Sequence, residues 1–145
     1  MRIEIVCSGN ICRSPIGEVV LRAKLAAAGI DGFEVTSSGT GGWHVGDPMD
    51  PRAAAVLERN GYDGSAHRAR RFDRAWTPDL VLAMDSGHLA ELGGDAQLFA
   101  ADDVPDPYYG DEDGFDDVLA QIEKAADQWV DRLRTTSSGR SPTSG

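Results

Sequence analysis

The sequence predicts an α/β fold: a single domain with a parallel sheet and helices on both of its faces. Three observations carry that expectation. Short apolar runs alternate with segments whose apolar residues recur at helical spacing. Parallel neighbours need crossover connections, and these lay helices over both faces with a right-handed sense. The 145 residues, 41% of them hydrophobic, suffice for one core of ordinary size.

Residues 2–6 (RIEIV) read as the first strand. Ser14 then offers an N-cap and Pro15 a first helical residue, opening a helix to Ala28. Ile16, Val19, Val20, Ala23 and Ala27 supply its apolar stripe, and Gly29 its stop. Residues 33–36 (FEVT) read as a second strand, and "SSGTGG" after it as loop chemistry. Asp50 and Pro51 repeat the cap-and-proline start for a helix that Gly61 closes. Residues 79–84 (DLVLAM) form the clearest buried strand, and Asp85 or Ser86 caps a short helix ending near Gly93. Residues 97–99 (QLF) are a weak fourth strand. After a Pro- and Asp-rich loop, Phe115 to Leu133 place Val118, Leu119, Ile122, Ala126, Trp129 and Val130 on one helical face. The expected domain is 1–134. Residues 135–145 lack an apolar pattern and read as a flexible tail or an added remnant.

Composition removes several function classes. The net charge is −10, and residues 76–145 hold 15 acidic against 4 basic side chains, which argues against general nucleic-acid binding. No run is long enough to span a membrane, and no secretory leader is evident, so the expected compartment is the cytoplasm. The only cysteines, Cys7 and Cys12, staple nothing distant and have no second pair or nearby histidine for zinc. No metal and no cofactor are expected, and the thiols point to reactivity.

Both thiols fall within "VCSGNICRSP", residues 6–15, between the first strand and the first helix. Ligands of parallel α/β sheets bind beyond the carboxyl ends of strands, and this turn lies there. Backbone N–H groups of Ser8, Gly9, Asn10, Ile11 and Cys12 can converge on one anion, and the helix start adds positive potential. Gly9 supplies freedom at positive φ, and Asn10 tolerates the left-handed region. Cys7 at the base of such a nest is favoured as a thiolate. Arg13 can fold back and hold two oxygens of a phosphate with its planar fork. The stretch lacks the nucleotide P-loop pattern and the dinucleotide glycines. The bare pattern also fits a buried structural cysteine beside a surface arginine; the strand–helix context argues for the nest.

With these residues in view, "VCSGNICRSP" closely resembles the signature of the low-molecular-weight protein tyrosine phosphatases. "TSSGTGGWHVGDPMDPRA" (36–53), "HRARR" (67–71), "DLVLAMD" (79–85) and "DVPDPYYG" (103–110) resemble later blocks of that family in the same order. The resemblance spans roughly residues 1–133 and implies a four-stranded parallel sheet with flanking helices. It implies that Cys7 is the nucleophile of a cysteinyl-phosphate intermediate, Arg13 the phosphate clamp and Asp106 the general acid and base. Ser14 would support the sulfur, and Asn10 would hold the loop in shape with Ser37 and His67 as partners. Trp43, Tyr108 and Tyr109 would wall a cleft for a flat ring, selecting phosphotyrosine in a protein or peptide; for Trp43, loop packing is an equal alternative. A reversible Cys7–Cys12 disulfide is implied as often as a plain buried Cys12.

Elementary chemistry supports the role given to Asp106. A phenolate leaving group needs a proton, and the same carboxylate can then activate water. Read alone, Asp106 before Pro107 is a turn former. His44 and His88 are expected to be structural or surface residues. Asp85 is expected either to position a nearby cation or the loop, or to cap the next helix. Three departures from the family pattern stand out. Ser8 occupies a variable rim position, Gly17 stands where alanine is common, and the segment between Leu92 and Asp106 is short.

Three rivals follow from the same loop. A thioredoxin-coupled arsenate reductase relays oxidation through downstream cysteines, which this chain lacks after Cys12. A protein-arginine phosphatase commonly carries threonine where this chain has Ile11, and an apolar residue better suits an aromatic substrate. A non-catalytic phosphopeptide-binding module has no need of an acid such as Asp106.

Overall fold

The structure is a computed structural model that describes residues 1–107 and 112–140. Its elements are β1 (Arg2–Cys7), α1 (Arg13–Ala27), β2 (Glu34–Gly39), α2 (Pro51–Arg59), β3 (Leu80–Ala83), α3 (Ser86–Leu92), β4 (Gln97–Leu98) and α4 (Glu112–Arg140). The four strands are parallel and lie in the order β2-β1-β3-β4, so β1 is central. This is the α/β architecture the alternating pattern predicts.

The two-residue period of β1 divides its side chains between two cores. Ile3, Ile5 and Cys7 face the larger core, with Ile16, Val20 and Leu21 of α1, Leu57 of α2, and Phe115, Leu119 and Ile122 of α4. Val6 joins Ala83, Leu92 and the partly buried Val81 and Leu89 in a smaller cluster. Trp129 fastens α4 to the sheet by donating from Nε1 to the Phe99 carbonyl at 2.7 Å. Among the described residues no helix is long and apolar enough to cross a membrane.

Several boundaries move, each for a local reason. The first helix begins at Arg13 with Cys12 at the N-cap position, so Ser14 lies inside α1 and caps nothing. Its hydroxyl is engaged by the preceding loop instead. β2 runs on through Ser37, Ser38 and Gly39, three residues with loop-like chemistry, because they pair with Ile5, Val6 and Cys7 of the central strand. Tertiary pairing outweighs local preference there. Asp50 caps α2 as expected, accepting from Arg52 N at 2.8 Å. β4 shortens to two residues. A 3₁₀ turn at Arg74–Trp76, which no periodicity announced, is started by the Asp73 carboxylate accepting from Ala75 N. The final helix extends past Leu133 to Arg140, over residues expected to lie in a tail.

Candidate active site

Strand β1 delivers Cys7 to its carboxyl end, and the chain turns through residues 8–12 into α1. The turn lies hard against the end of β2. Thr40 N donates to the Cys7 carbonyl at 2.8 Å, and Gly41 N to that of Ser8 at 3.0 Å. Gly39 permits the approach, since a Cβ there would sit 2.6 Å from the Ser8 carbonyl oxygen.

The left-handed residue of the turn is Asn10, at φ 59°, and not Gly9, whose φ is outside that region. Asparagine tolerates this backbone because its side chain bonds locally. Here one bond is local and two are tertiary: Nδ2 donates to Ser14 Oγ at 2.8 Å and to Ser37 Oγ at 3.0 Å, and Oδ1 accepts from Arg70 N at 2.9 Å. Gly9 has a different use. An added Cβ would lie 3.0 Å from the His44 ring, so the glycine leaves room for that ring.

Around Asn10 the network continues without a gap. Ser37 Oγ donates to Glu18 at 2.6 Å. His67 Nε2 donates to the Asn10 carbonyl at 2.7 Å, which fixes the ring's proton on Nε2. Burial holds the His67 pKa below its ordinary value, against the opposing pull of that hydrogen bond. Ser14 Oγ lies 2.9 Å from Cys7 Sγ, close enough to donate a hydrogen bond to a thiolate. Asn10, Ser14, Ser37 and His67 therefore stand together beneath the loop.

The other side of the loop carries charge. Arg13 is 4% exposed. Its Nη1 donates to Asp85 Oδ2 at 2.8 Å and to the Val104 carbonyl at 3.0 Å. Asp85 performs both jobs expected of it, since its Oδ1 also accepts from His88 N and caps α3. Desolvation opposes ionisation of this carboxyl, but the His88 N–H and the Arg13 guanidinium hold it below the usual carboxylate range. Arg13 Nη2 reaches toward Ser8 Oγ at 3.5 Å and Asp106 Oδ2 at 3.6 Å.

Asp106 arrives from the segment before α4. Val104 N donates to the Met84 carbonyl, and both Ser86 N and Oγ bond Asp103. These anchors carry Asp106 to the pocket mouth, despite the short run after Leu92. A cavity of about 450 Å³ opens there, lined by Cys7, Arg13 and Asp106, with Ser8, Ile11 and Cys12 of the turn. Trp43, 74% exposed, and His44 stand on its wall. Tyr108 and Tyr109 lie outside the described residues.

Both cysteines are free. Burial, reinforced by Asp50, Cys7 and Asp106, pushes the Cys12 thiol well above its ordinary range, so it stays protonated. Among the described residues no three His, Cys, Asp or Glu side chains gather as metal donors.

Of the two histidines expected to be structural or surface residues, His88 is buried, with Nε2 2.7 Å from Ser8 Oγ, and His44 lines the cavity, a placement beside the site that sequence reasoning did not assign to either. The available signal for His88 was its place three residues after the Asp85 cap, on the turn that faces the strand end. Glu18 and Arg70, which brace Ser37 and Asn10, gave no sequence signal of their own.

The sequence model of the family described as low molecular weight phosphotyrosine protein phosphatase matches residues 2–138. A low molecular weight protein-tyrosine-phosphatase of Streptomyces coelicolor is 42% identical, over 96% of this chain and 97% of its own length. Low molecular weight protein-tyrosine phosphatase A of Mycobacterium tuberculosis is 40% identical, over 90% and 92%. Among solved structures, Vibrio vulnificus Wzb in complex with benzylphosphonate superposes with a TM-score of 0.81 at 31% identity, covering 90% of this chain and 97% of that one. The Escherichia coli tyrosine phosphatase Wzb in complex with sulphate gives 0.83 at 34%, covering 91% and 97%.

Proposed function

Because the chain belongs to the low molecular weight phosphotyrosine protein phosphatase family, we propose that it hydrolyses phosphotyrosine in proteins or peptides through a phosphocysteine at Cys7. The observation that carries this reading is one cavity holding a thiol at its floor, a guanidinium beside it and a carboxyl at its mouth.

In the first step the Cys7 thiolate attacks phosphorus in line with the aryl oxygen. The S–P bond forms as the P–O bond breaks, and Asp106 gives its proton to the departing phenol oxygen. Arg13 and the converging amides of the turn hold the equatorial oxygens, whose charge is preorganised against solvent. In the second step water attacks phosphorus, Asp106 takes its proton, and sulfur leaves as thiolate with the Ser14 hydroxyl 2.9 Å away to support it. The partly buried Asp85 carboxylate keeps the Arg13 fork in one orientation, so little entropy is lost on binding.

The cavity wall favours an aromatic ester over phosphoarginine. Ile11 and Trp43 present apolar surface at the mouth, and no carboxylate stands beside Ile11 to receive a guanidinium nitrogen among the described lining residues other than Asp106. A ring reaches a deep sulfur where a shorter serine ester falls short.

Phosphate release from phosphotyrosyl and phosphoarginyl peptides tests the reading. Cys7→Ser lowers turnover by at least about 10⁴-fold while the fold persists. Asp106→Asn lowers it by about 10²–10⁴-fold, most for poor leaving groups. Undiminished turnover in Cys7→Ser removes the mechanism, and preference for phosphoarginine replaces the substrate.

A further inference from the structure

His88 is a buried titratable group beside the cavity that, like Cys12, has no part in the mechanism above. It is 5% exposed, and its two ring nitrogens face different partners. Nε2 lies 2.7 Å from Ser8 Oγ. Nδ1 is buried, makes no aligned hydrogen bond with a described residue, and sits 3.1 Å from Asp85 Oδ1. A bare Nδ1 lone pair that close to a carboxylate is repulsive, so the proton of the neutral ring belongs on Nδ1. Nε2 is then an acceptor, and the Ser8 hydroxyl must donate to it.

That assignment has a consequence at the cavity, which Ser8 lines one residue from the nucleophile. With its hydrogen turned to His88, Ser8 shows the cavity only lone pairs. An imidazolium reverses the bond: Nε2–H donates to Ser8 Oγ, and the hydroxyl hydrogen is released. Arg13 Nη2, 3.5 Å from Ser8 Oγ, already points at the same place. We propose that His88 is a positioning residue that turns the Ser8 hydroxyl, so that an oxyanion entering the cavity binds together with one proton taken up from solvent by His88. This deepens the proposed function and rests on its reading of the cavity as a phosphate site.

The surrounding charges fit. Burial and the Arg13 guanidinium on α1 disfavour the imidazolium in the free protein. Asp85 at the α3 cap, Glu91 on α3 and Asp106 from the segment before α4 favour it. A bound dianion offsets Arg13, the main opposing charge, and so tips the balance toward the protonated ring. Binding and protonation then reinforce one another by linkage.

Sulfate is the appropriate probe, because it does not titrate near neutral pH as phosphate does. The imidazole nitrogens of the labelled protein are followed by NMR with and without saturating sulfate, His88 being identified by its loss in His88→Gln. The His88 midpoint rises by about one pH unit or more on binding. Between the free and the bound midpoints sulfate affinity correspondingly falls by up to about tenfold per pH unit, in excess of any slope in His88→Gln, and it levels off above the bound midpoint. Ser8→Ala keeps the ring and removes the hydroxyl, and it loses the larger part of that excess slope, leaving only what the offset of Arg13 supplies through space. His67 serves as the internal reference, and an unshifted His67 resonance reports an intact loop in each variant. Sulfate that binds while the His88 midpoint stays put overturns the proposal. So does a full slope in Ser8→Ala, which makes His88 a charge acting through space. Failure of sulfate to bind at any pH overturns the phosphate-site reading itself, and the two failures are thereby distinguished.

Discussion

Beneath the loop between β1 and α1, Asn10, Ser14 and Ser37 are almost wholly buried and bonded to one another, to Glu18 and to the backbone of Arg70. Above it, Arg13, Asp85 and Asp106 bring ionisable groups together, and the side chains of Asp85 and Asp106 are 26% and 41% exposed. The lower side is mostly neutral and its donors and acceptors are matched, so any lost partner leaves an orphan in low dielectric. The upper side is solvated at one edge, so its groups can exchange partners when an anion or proton arrives. Shape is set below the loop, and chemistry and response above it.

The sharpest break of this contrast comes from one substitution on each side. Asn10→Ala removes three bonds and places alanine at φ 59°, and a loss of about 3 kcal/mol is expected in denaturant unfolding, with activity lost alongside. Asp85→Asn keeps an oxygen to cap α3 but removes the charge facing Arg13. Stability then changes by less than about 1.5 kcal/mol while kcat/KM falls by about tenfold to a hundredfold. Equal stability losses in the two variants erase the distinction between the sides.

The next test is a pH window. The neutral His67 ring donates to Asn10, and its folded pKa is depressed. The unfolded chain therefore binds the extra proton first, and the His67 contribution is present above about pH 6.5 and lost as pH falls through the folded value. Thermal unfolding across this range shows Tm falling on acidification, with His67→Gln flattening part of the fall because its amide donates at every pH. An unchanged slope in His67→Gln assigns the acid sensitivity to other groups.

The smallest effect belongs to Gly17, which stands on α1 outside both sides. A Cβ there would lie 2.7 Å from the Met84 methyl and 3.3 Å from Ile5. The gain in helix propensity from alanine, about 1 kcal/mol, is offset by displacing that methyl in a packed core. Gly17→Ala is expected to lower stability by less than about 1 kcal/mol and to leave catalysis unchanged. A clear gain in Tm shows that Met84 moves aside freely.

Much of this molecule was legible before its coordinates. The hydrophobic period marked β1, β3, α1 and α4, and the Asp50–Pro51 pair marked the start of α2, because these are contests between neighbouring residues. The turn announced itself through the spacing of Cys7 and Arg13. Ser14 shows where local signals mislead: its hydroxyl suits a helix cap, yet Cys7 and Asn10 claim it from another direction. Asn10 takes the left-handed backbone it was expected to tolerate, held by Ser14 and by two distant partners, so that Gly9 does not use the freedom expected of it.

The chain's order of residues determined the alternation of strands and helices, the place of the turn between β1 and α1 and the types of side chain gathered at it. Tertiary structure alone decided which groups meet. His67 reaches Asn10 across 57 residues, His88 reaches Ser8 across 80, and Asp85 reaches Arg13 across 72. Local sequence governs backbone preference over a few residues, whereas the contacts of Asp85 and His88 arise only when β3 docks beside β1, and that of His67 only when the segment before Arg71 pairs with Gly39 at the end of β2.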